Sequence, residues 1–174
     1  MTKRDFTRLI LSGKRDFLQD FLAALRSRKI KHCVIGGLAV NAYADPVVSL
    51  DLDVVVAADR LRDLRKALPA SFKFKAFPSS VNIGCPGSDL RIQVQTDPRY
   101  QPFLARARKK SVLGYEMPVA RIEDVLQGKI WAALDETRRP SKRQKDLADI
   151  LRLIETRAAL KRKIPAALKF RLSL

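Results

Sequence analysis

With 174 residues, of which 47% are hydrophobic and 30% charged, the chain has enough apolar material for one packed domain and is too apolar for a disordered protein. Lys and Arg outnumber Asp and Glu by 35 to 18, and the resulting net charge of +17 favours polyanions such as nucleic acid. No apolar run reaches the roughly 18 residues of a membrane span, and the N-terminus lacks the apolar core of a signal peptide. We therefore expect a cytoplasmic protein that makes no membrane contact.

Scarce residue types exclude two kinds of chemistry. One His and two Cys cannot supply the four ligands of a structural zinc site. A disulfide between Cys33 and Cys85 is disfavoured in a reducing cytosol, and no nucleophile motif accompanies His32, which fits a strand edge better than an active site. Any catalysis must therefore rest on carboxylates and cations.

The first half of the chain alternates between helical and strand patterns. Apolar residues recur at helical spacing in some segments and at every second position in others. In chain order, the patterns predict a helix over residues 15–28, a strand over 31–35, a helix over 38–43, a strand over 50–57, a helix that Asp59 caps, and an exposed strand over 71–77.

The second half begins with strands and becomes helical. The patterns predict a turn over residues 84–88, a strand over 90–95, a short basic helix over 98–110, two brief strands over 111–119, a helix over 122–134, and a last helix from residue 141 with a basic tail. This order predicts an α/β (α+β) fold, in which helices flank a small mixed β-sheet. We expect an N-terminal helix (1–28), a core (29–120) and a C-terminal helical region (121–174).

Asp51 and Asp53 are the strongest candidates for chemistry. They lie two residues apart in a predicted strand, so both side chains emerge on one face of the sheet. Adjacent carboxylates repel each other unless a cation lies between them, and Mg²⁺ takes such oxygen ligands together with phosphate oxygens. Gly36 and Gly37 end the preceding strand, where small residues let a phosphate approach the backbone. The pattern therefore predicts a metal-bound triphosphate between the pair and the glycines.

Residues 34–37 (VIGG) and, after thirteen further residues, 51–56 (DLDVVV) closely resemble the signature of the nucleotidyltransferase superfamily related to DNA polymerase beta. Residues 36–43 (GGLAVNAY) look most like the branch that contains minimal nucleotidyltransferases and AbiEii-like toxins. The resemblance implies the nucleotidyltransferase fold, with Asp51 and Asp53 as catalytic metal ligands. It also implies Mg²⁺-dependent transfer of a nucleoside monophosphate from a triphosphate to a hydroxyl of RNA, particularly tRNA, or of a protein. An antitoxin or toxin partner, or a role in phage defence, is a further implication.

The superfamily generally uses a third carboxylate on a neighbouring strand, as a metal ligand and base. Here Gln93 or Gln95 occupies that position, and a neutral amide is a poor proton acceptor. Asp89 and Asp97 are each an even number of residues from Gln93, so the side chain of either could reach the same face of the sheet from a strand end. We take Asp97 as the third catalytic residue, the alternative being a surface turn residue ahead of a proline.

Three cations are predicted to bind the nucleotide. Lys129 is a lone cation on an apolar helical turn, and the alternative is a side chain that extends from the core edge to solvent. Arg139 and Lys145 belong to a stretch, residues 138–145, in which five of eight residues are Lys or Arg. The rival function is a catalytically weakened module of the same fold that binds RNA or a partner protein. A plain basic DNA-binding domain is a third, less supported alternative.

Overall fold

The computed structural model describes residues 17–174, and a mixed β-sheet of seven strands runs through this part of the chain. Apolar residues at alternate positions drive strand formation in its centre. The strands are β1 (His32–Ile35), β2 (Asp51–Val56), β3 (Lys73–Phe77), β4 (Ser80–Gly84), β5 (Arg91–Gln95), β6 (Arg108–Val112) and β7 (Tyr115–Val119). Their order across the sheet is β3-β4-β5-β2-β1-β7-β6.

Parallel and antiparallel neighbours are combined in this sheet. β1 is antiparallel to β2 and parallel to β7, and β2 is parallel to β5. The other neighbouring strands are antiparallel. The α/β (α+β) class and the mixed sheet predicted from the sequence are therefore confirmed.

Helices flank the sheet and dominate the C-terminal part. The α-helices of the described residues are α1 (Phe17–Ser27), α2 (Gly36–Asn41), α3 (Leu61–Ala67), α4 (Phe103–Arg106), α5 (Ile122–Leu134), α6 (Pro140–Thr156) and α7 (Ala166–Lys169). Short 3-10 turns cover Ala58–Arg60, Pro98–Tyr100, Ala158–Lys163 and Phe170–Leu172. Within residues 17–174, no helix is both long and apolar enough to cross a bilayer.

The two faces of the central strands differ in polarity. Leu52 and Ile92, which are paired neighbours on β2 and β5, are fully buried. On the N-terminal helix, Phe17 packs edge-on against Phe72, with the ring centroids 4.9 Å apart. Because side chains alternate along a strand, the opposite face of β2 carries polar groups. This polar face holds the candidate site.

Three predicted elements differ from the structure. β4 is not predicted from the sequence, which indicates only a turn from residue 84 onward, because most residues of β4 are half-buried and their apolar alternation is weak. The basic helix predicted over residues 98–110 is shorter than expected: a 3-10 turn covers Pro98–Tyr100, the α-helix covers only Phe103–Arg106, and Arg108–Val112 pairs with β7 as a strand. α2 begins at Gly36, two residues earlier than predicted. Residues 1–16 of the predicted N-terminal helix lie outside the described residues.

The two cysteines are free thiols, as the sequence analysis favours. Cys33 is buried in the centre of β1, and this burial raises the pKa of its thiol to about 12. His32 begins the same strand, and burial lowers the pKa of its imidazole. None of these side chains lines the cavities described below.

Candidate functional site

Gly36 and Asp53 meet where β1 turns into α2. Ile35, the last residue of β1, pairs with Asp53 on β2. Gly36 then adopts a positive φ of +67°, and a Cβ added there would lie only 2.0 Å from Asp53 Oδ2. A side chain at Gly36 is therefore excluded both by the left-handed backbone and by the carboxylate. The glycine allows the Asp53 carboxylate to lie directly against the turn.

The Asp53 carboxylate is half-buried and electrostatically unusual. Burial raises the pKa of Asp53 to about 6, and the charge of Asp51 acts in the same direction. The positive charges of Lys129, Arg138 and Lys145 oppose this rise without cancelling it. Among the described residues, none forms an ion pair with Asp53 within 4.0 Å. The ionised form of this carboxylate would therefore gain from a cation that the chain does not itself supply.

Asp51 shares the face of Asp53 but is more exposed and already has a partner. The Arg91 guanidinium donates to Asp51 Oδ1 from Nε at 2.9 Å, and its Nη2 atom lies 2.8 Å from the same oxygen. Arg91 is two-thirds exposed, and such surface ion pairs contribute little to stability. A divalent ion could therefore replace Arg91 at Asp51 at small cost. Mg²⁺ is commonly held by one or two carboxylates plus phosphate oxygens, so the pair fits this ion.

In the described part of the chain, the structure does not bring a third carboxylate to this pair. Gln93 is the register partner of Asp53 on the neighbouring strand, as one of the two sequence alternatives predicts. Within residues 17–174, no group of three or more His, Cys, Asp or Glu side chains is placed to hold a metal ion. Gln93 can offer an amide oxygen to a cation but cannot usefully accept a proton near neutral pH.

Asp97 lies two residues beyond the end of β5. The alternation of side chains along a strand, on which its predicted catalytic role depends, does not continue past that end. It caps the Pro98–Tyr100 turn by accepting a hydrogen bond from the backbone N–H of Arg99 at 2.9 Å. The Arg99 guanidinium donates to Asp97 Oδ2 at 2.7 and 2.9 Å, and this bond lowers the pKa of Asp97. These contacts favour a structural role, and the catalytic role of Asp97 stays a prediction.

A cleft opens in front of Asp53. Its inner part is a cavity of about 110 Å³ between β2, β5 and α5, lined by Asp53, Gly36 and Lys129 among others. A wider cavity of about 620 Å³ adjoins it, and Gln93, Gln95 and other residues line both. The two cavities therefore share a wall, and the Asp53 carboxylate lines the inner one.

Lys129 lies in this cleft but is not a free cation. Its Nζ atom is 2.9 Å from Asp146 Oδ1 and 2.6 Å from Asp149 Oδ2. Burial lowers the pKa of Lys129, but the two carboxylates outweigh this effect and the net pKa is raised. Arg138 Nε donates to the other Asp146 oxygen at 2.7 Å. Asp146 therefore joins α5 to α6 instead of pairing along its own helix, and triphosphate binding by Lys129 stays a prediction.

The other two predicted cations are placed differently from each other. Lys145 Nζ lies 4.0 Å from the position that a Cβ of Gly37 would occupy, so this exposed lysine reaches the glycine turn. Arg139 is the exposed N-cap residue of α6 and lines neither cavity. The structure thus brings together Asp51, Asp53, the two glycines and Lys145, and leaves Arg139 outside.

Two residues that line the cleft were missed as site residues. Arg138 lines both cavities while it pairs with Asp146. Tyr100 also lines both, and a Cβ at Gly128 would lie 3.2 Å from its ring. Burial raises the pKa of Tyr100 to about 12, so its hydroxyl is a neutral donor at physiological pH. The sequence signal for the contact between α5 and the Tyr100 ring was Gly128, which precedes the predicted phosphate ligand Lys129.

Comparison with known proteins gives the fold. No protein-family model matches the chain, and no curated protein matches it. Its structure is similar to that of the antibiotic-resistance factor ANT(2″)-Ia (TM-score 0.56, 15% identity, 88% of this chain and 94% of that one). It is similar to an antigenic nucleotidyltransferase-like protein from Paracoccidioides brasiliensis (0.54, 19%, 90% and 91%) and to the lincosamide antibiotic adenylyltransferase LnuA (0.54, 11%, 78% and 95%). The chain therefore has the fold of the nucleotidyltransferases.

Proposed function

We propose that this protein is a Mg²⁺-dependent nucleotidyltransferase. Its substrate is a nucleoside triphosphate, from which it moves a nucleoside monophosphate to an acceptor hydroxyl with release of pyrophosphate. The observation that carries the proposal is Asp53, a carboxylate with a raised pKa and no described cation partner, held against the Gly36 turn. The fold shared with adenylyltransferases supports it.

Each residue of the site has a role in this proposal. Asp51 and Asp53 would hold Mg²⁺, which when bound neutralises the charge of the triphosphate. The missing side chain of Gly37 leaves room for a phosphate, and Lys145 lies close enough to contact it. The acceptor oxygen attacks the α-phosphorus, the bond to the β-phosphate oxygen breaks, and pyrophosphate leaves with that electron pair. The hydroxyl proton passes to solvent, because the neighbouring Gln93 cannot accept it.

RNA, with tRNA as one candidate, is the acceptor that the charge of the chain supports best. A net charge of +17 raises the local concentration of a polyanion around the protein. A protein hydroxyl is the other acceptor class that the family resemblance implies. The two are separated by whether transferred label travels with RNA or with protein after nuclease digestion.

The test is a transfer assay with each α-³²P-labelled nucleoside triphosphate and total RNA, with Mg²⁺ or with EDTA. We expect label on RNA only with Mg²⁺, and loss of at least 99% of it in Asp53→Asn, since a metal ligand is removed. Asp59→Asn is the matched control, because Asp59 is exposed on the 3-10 turn after β2. Transfer that persists in the Asp53 variant, or no transfer with any triphosphate and either acceptor class, would sink the proposal.

A second candidate function is a binding module of the same fold. The position of Gln93 beside Asp53 favours it, because the amide removes a potential base. This alternative predicts salt-sensitive RNA binding that is the same in wild type and Asp53→Asn, with no Mg²⁺-dependent triphosphate binding in either. Isothermal calorimetry with Mg²⁺ and a non-hydrolysable triphosphate separates the two functions.

The resemblance of residues 36–43 to AbiEii-like toxins motivates a biological proposal. In it, the transfer reaction serves a toxin–antitoxin or phage-defence system, and a partner protein restrains it. Induced expression in a bacterial host should then arrest growth in wild type and not in Asp53→Asn. Normal growth at equal amounts of both soluble proteins would argue against a toxin.

A further inference from the structure

The polar face that carries Asp53 continues across the sheet to its edge. Asp53 is paired with Gln93 on β5, Gln93 with Asn82 on β4, and Asn82 with Lys75 on β3. Paired residues on neighbouring strands point to the same face. Four side chains thus form one row from the candidate metal ligand to the edge strand. At a strand spacing of about 4.8 Å, this row is roughly 14 Å long.

A second row runs beside the first, from Gln95 on β5 to Ser80 on β4 and Phe77 on β3. Because side chains alternate along a strand, Lys73, two residues before Lys75 on β3, also lies on this face. We call the outer part of this face the β3–β4 platform, which consists of Lys73, Lys75, Phe77, Ser80 and Asn82.

The chemistry of the β3–β4 platform is basic and aromatic. Lys73 and Lys75 are exposed, and Phe77 is 43% exposed. Lys75 Nζ lies 5.2 Å from the centre of the Phe77 ring. Ile83, on the other face of β4, is buried in the core. The apolar core therefore uses one face of this hairpin, and the exposed ring lies among cations on the other.

The platform meets the cleft at Ser80, which belongs to both. Ser80 and Gln95 form one wall of the wider cavity, and Arg99 and Arg138 belong to its other lining residues. That cavity adjoins the inner one, which contains Asp53. A flexible ligand that lies on the platform can thus extend one end past Gln95 and Gln93 towards the Asp53 carboxylate.

We propose that the β3–β4 platform binds the single-stranded 3′ end of an RNA acceptor and directs its terminal hydroxyl to Asp53. This inference rests on the proposed nucleotidyl transfer and assigns the surface that selects its acceptor. Lysines pair with phosphates, and an exposed aromatic ring stacks on a base that is not paired in a duplex. Gln93 and Gln95 can both donate and accept, which matches the ribose hydroxyls of RNA.

Binding is measured by fluorescence anisotropy with a short, 5′-labelled, single-stranded RNA of mixed sequence, without triphosphate or Mg²⁺. We expect Phe77→Leu to weaken binding about tenfold and Phe77→Tyr to leave it nearly unchanged, because the tyrosine ring still stacks. Replacing Lys73 and Lys75 together by Gln should reduce the slope of log affinity against log salt by about 1.4.

The matched control replaces Arg108 and Lys109 by Gln. Both are exposed on β6, the opposite edge strand of the sheet, and their loss lowers the net charge by the same amount. The control variant should keep most of the affinity. Equal losses in the two double variants, or full binding by Phe77→Leu, would overturn the proposal and leave the platform free for a protein partner.

Two further measurements test the orientation of the bound RNA and separate RNA binding from the proposed nucleotidyl transfer. A photo-crosslinker at the RNA 3′ end should label the cleft peptide that contains Tyr100, and one at the 5′ end should label β3; the reverse pattern overturns the orientation. Duplex RNA, or DNA of the same sequence, that binds equally well would overturn the assignment to single-stranded RNA. Platform-dependent binding with no transfer in wild type would refute the proposed function while leaving the RNA surface intact.

Discussion

Replacing Asp53 by Asn should stabilise the protein in the absence of metal. Burial raises the pKa of this carboxyl from 3.8 to about 6, so the folded state holds its proton more tightly than the unfolded state does. Below about pH 4 both states are protonated and the carboxyl costs nothing. Between about pH 4 and 6 the unfolded state ionises first, so stability falls as the pH rises. Above this window the folded protein bears the full cost of the buried charge.

The size of this cost follows from the difference between the two pKa values. About two pH units at 1.36 kcal/mol each give about 3 kcal/mol at pH 8. For a chain of this length, that gain corresponds to a rise in Tm of about 6 to 12 °C. Mg²⁺ should stabilise wild type and leave Asp53→Asn unchanged, since a ligand that binds the folded state raises its stability.

The assay is urea denaturation of wild type, Asp53→Asn and the exposed control Asp59→Asn at pH 4 and pH 8. The Asp53 variant should match wild type at pH 4 and exceed it at pH 8, whereas the control should follow wild type at both. An Asp53 variant that is no more stable than wild type at pH 8 would refute the argument that the carboxylate lacks a cation partner within the folded chain.

Four other substitutions test the surroundings of this carboxylate. Gly36→Ala should cost roughly 2 to 4 kcal/mol, because a Cβ would overlap Asp53 and the residue has a positive φ; urea denaturation checks this. Gly37→Ala, whose Cβ has no contact closer than 3.7 Å, should fold normally but bind triphosphate more weakly in calorimetry. Lys129→Met should cost about 3 to 5 kcal/mol, since it leaves two buried carboxylates without their shared partner. Gln93→Glu should increase Mg²⁺ affinity several-fold by adding a third carboxylate beside Asp53; unchanged affinity would contradict the placement of Gln93.

The part of the site built from local sequence could be predicted. Alternation within one strand placed Asp51 and Asp53 on the same face, and the double glycine marked the turn that Asp53 approaches. Both predictions, the shared face and the glycine turn, depend only on residues that are close together in the sequence. The strand β4 was missed because its register, and not its own apolar pattern, fixes its place between β3 and β5. The platform that it helps to form could not be recognised without that register.

Long-range pairing explains the other differences. Asp97 was chosen by parity, but β5 ends at Gln95 and parity has no meaning beyond a strand end. Lys129 was predicted to bind phosphate because it is a lone cation on an otherwise apolar helical turn, whereas its ion-pair partners come from α6. For both Asp97 and Lys129, the sequence identified a charged side chain but not its ion-pair partner, because that partner depends on the folded structure.

The other carboxylates that line the inner cavity have ion-pair partners, and Asp53 differs from them in this respect. Asp124 and Asp146 line the same inner cavity as Asp53, and each is held by an arginine or lysine within 3.0 Å. A chain with 35 basic residues has cations to spare, yet no described residue forms an ion pair with Asp53. A metal-free fold gains nothing from that arrangement, since one more lysine or a simple Asn would remove the cost. Under the proposed function, a cation from solution would complete this arrangement, and a nucleotide that brings such an ion would lie beside Gln93 and Gln95, which line both cavities.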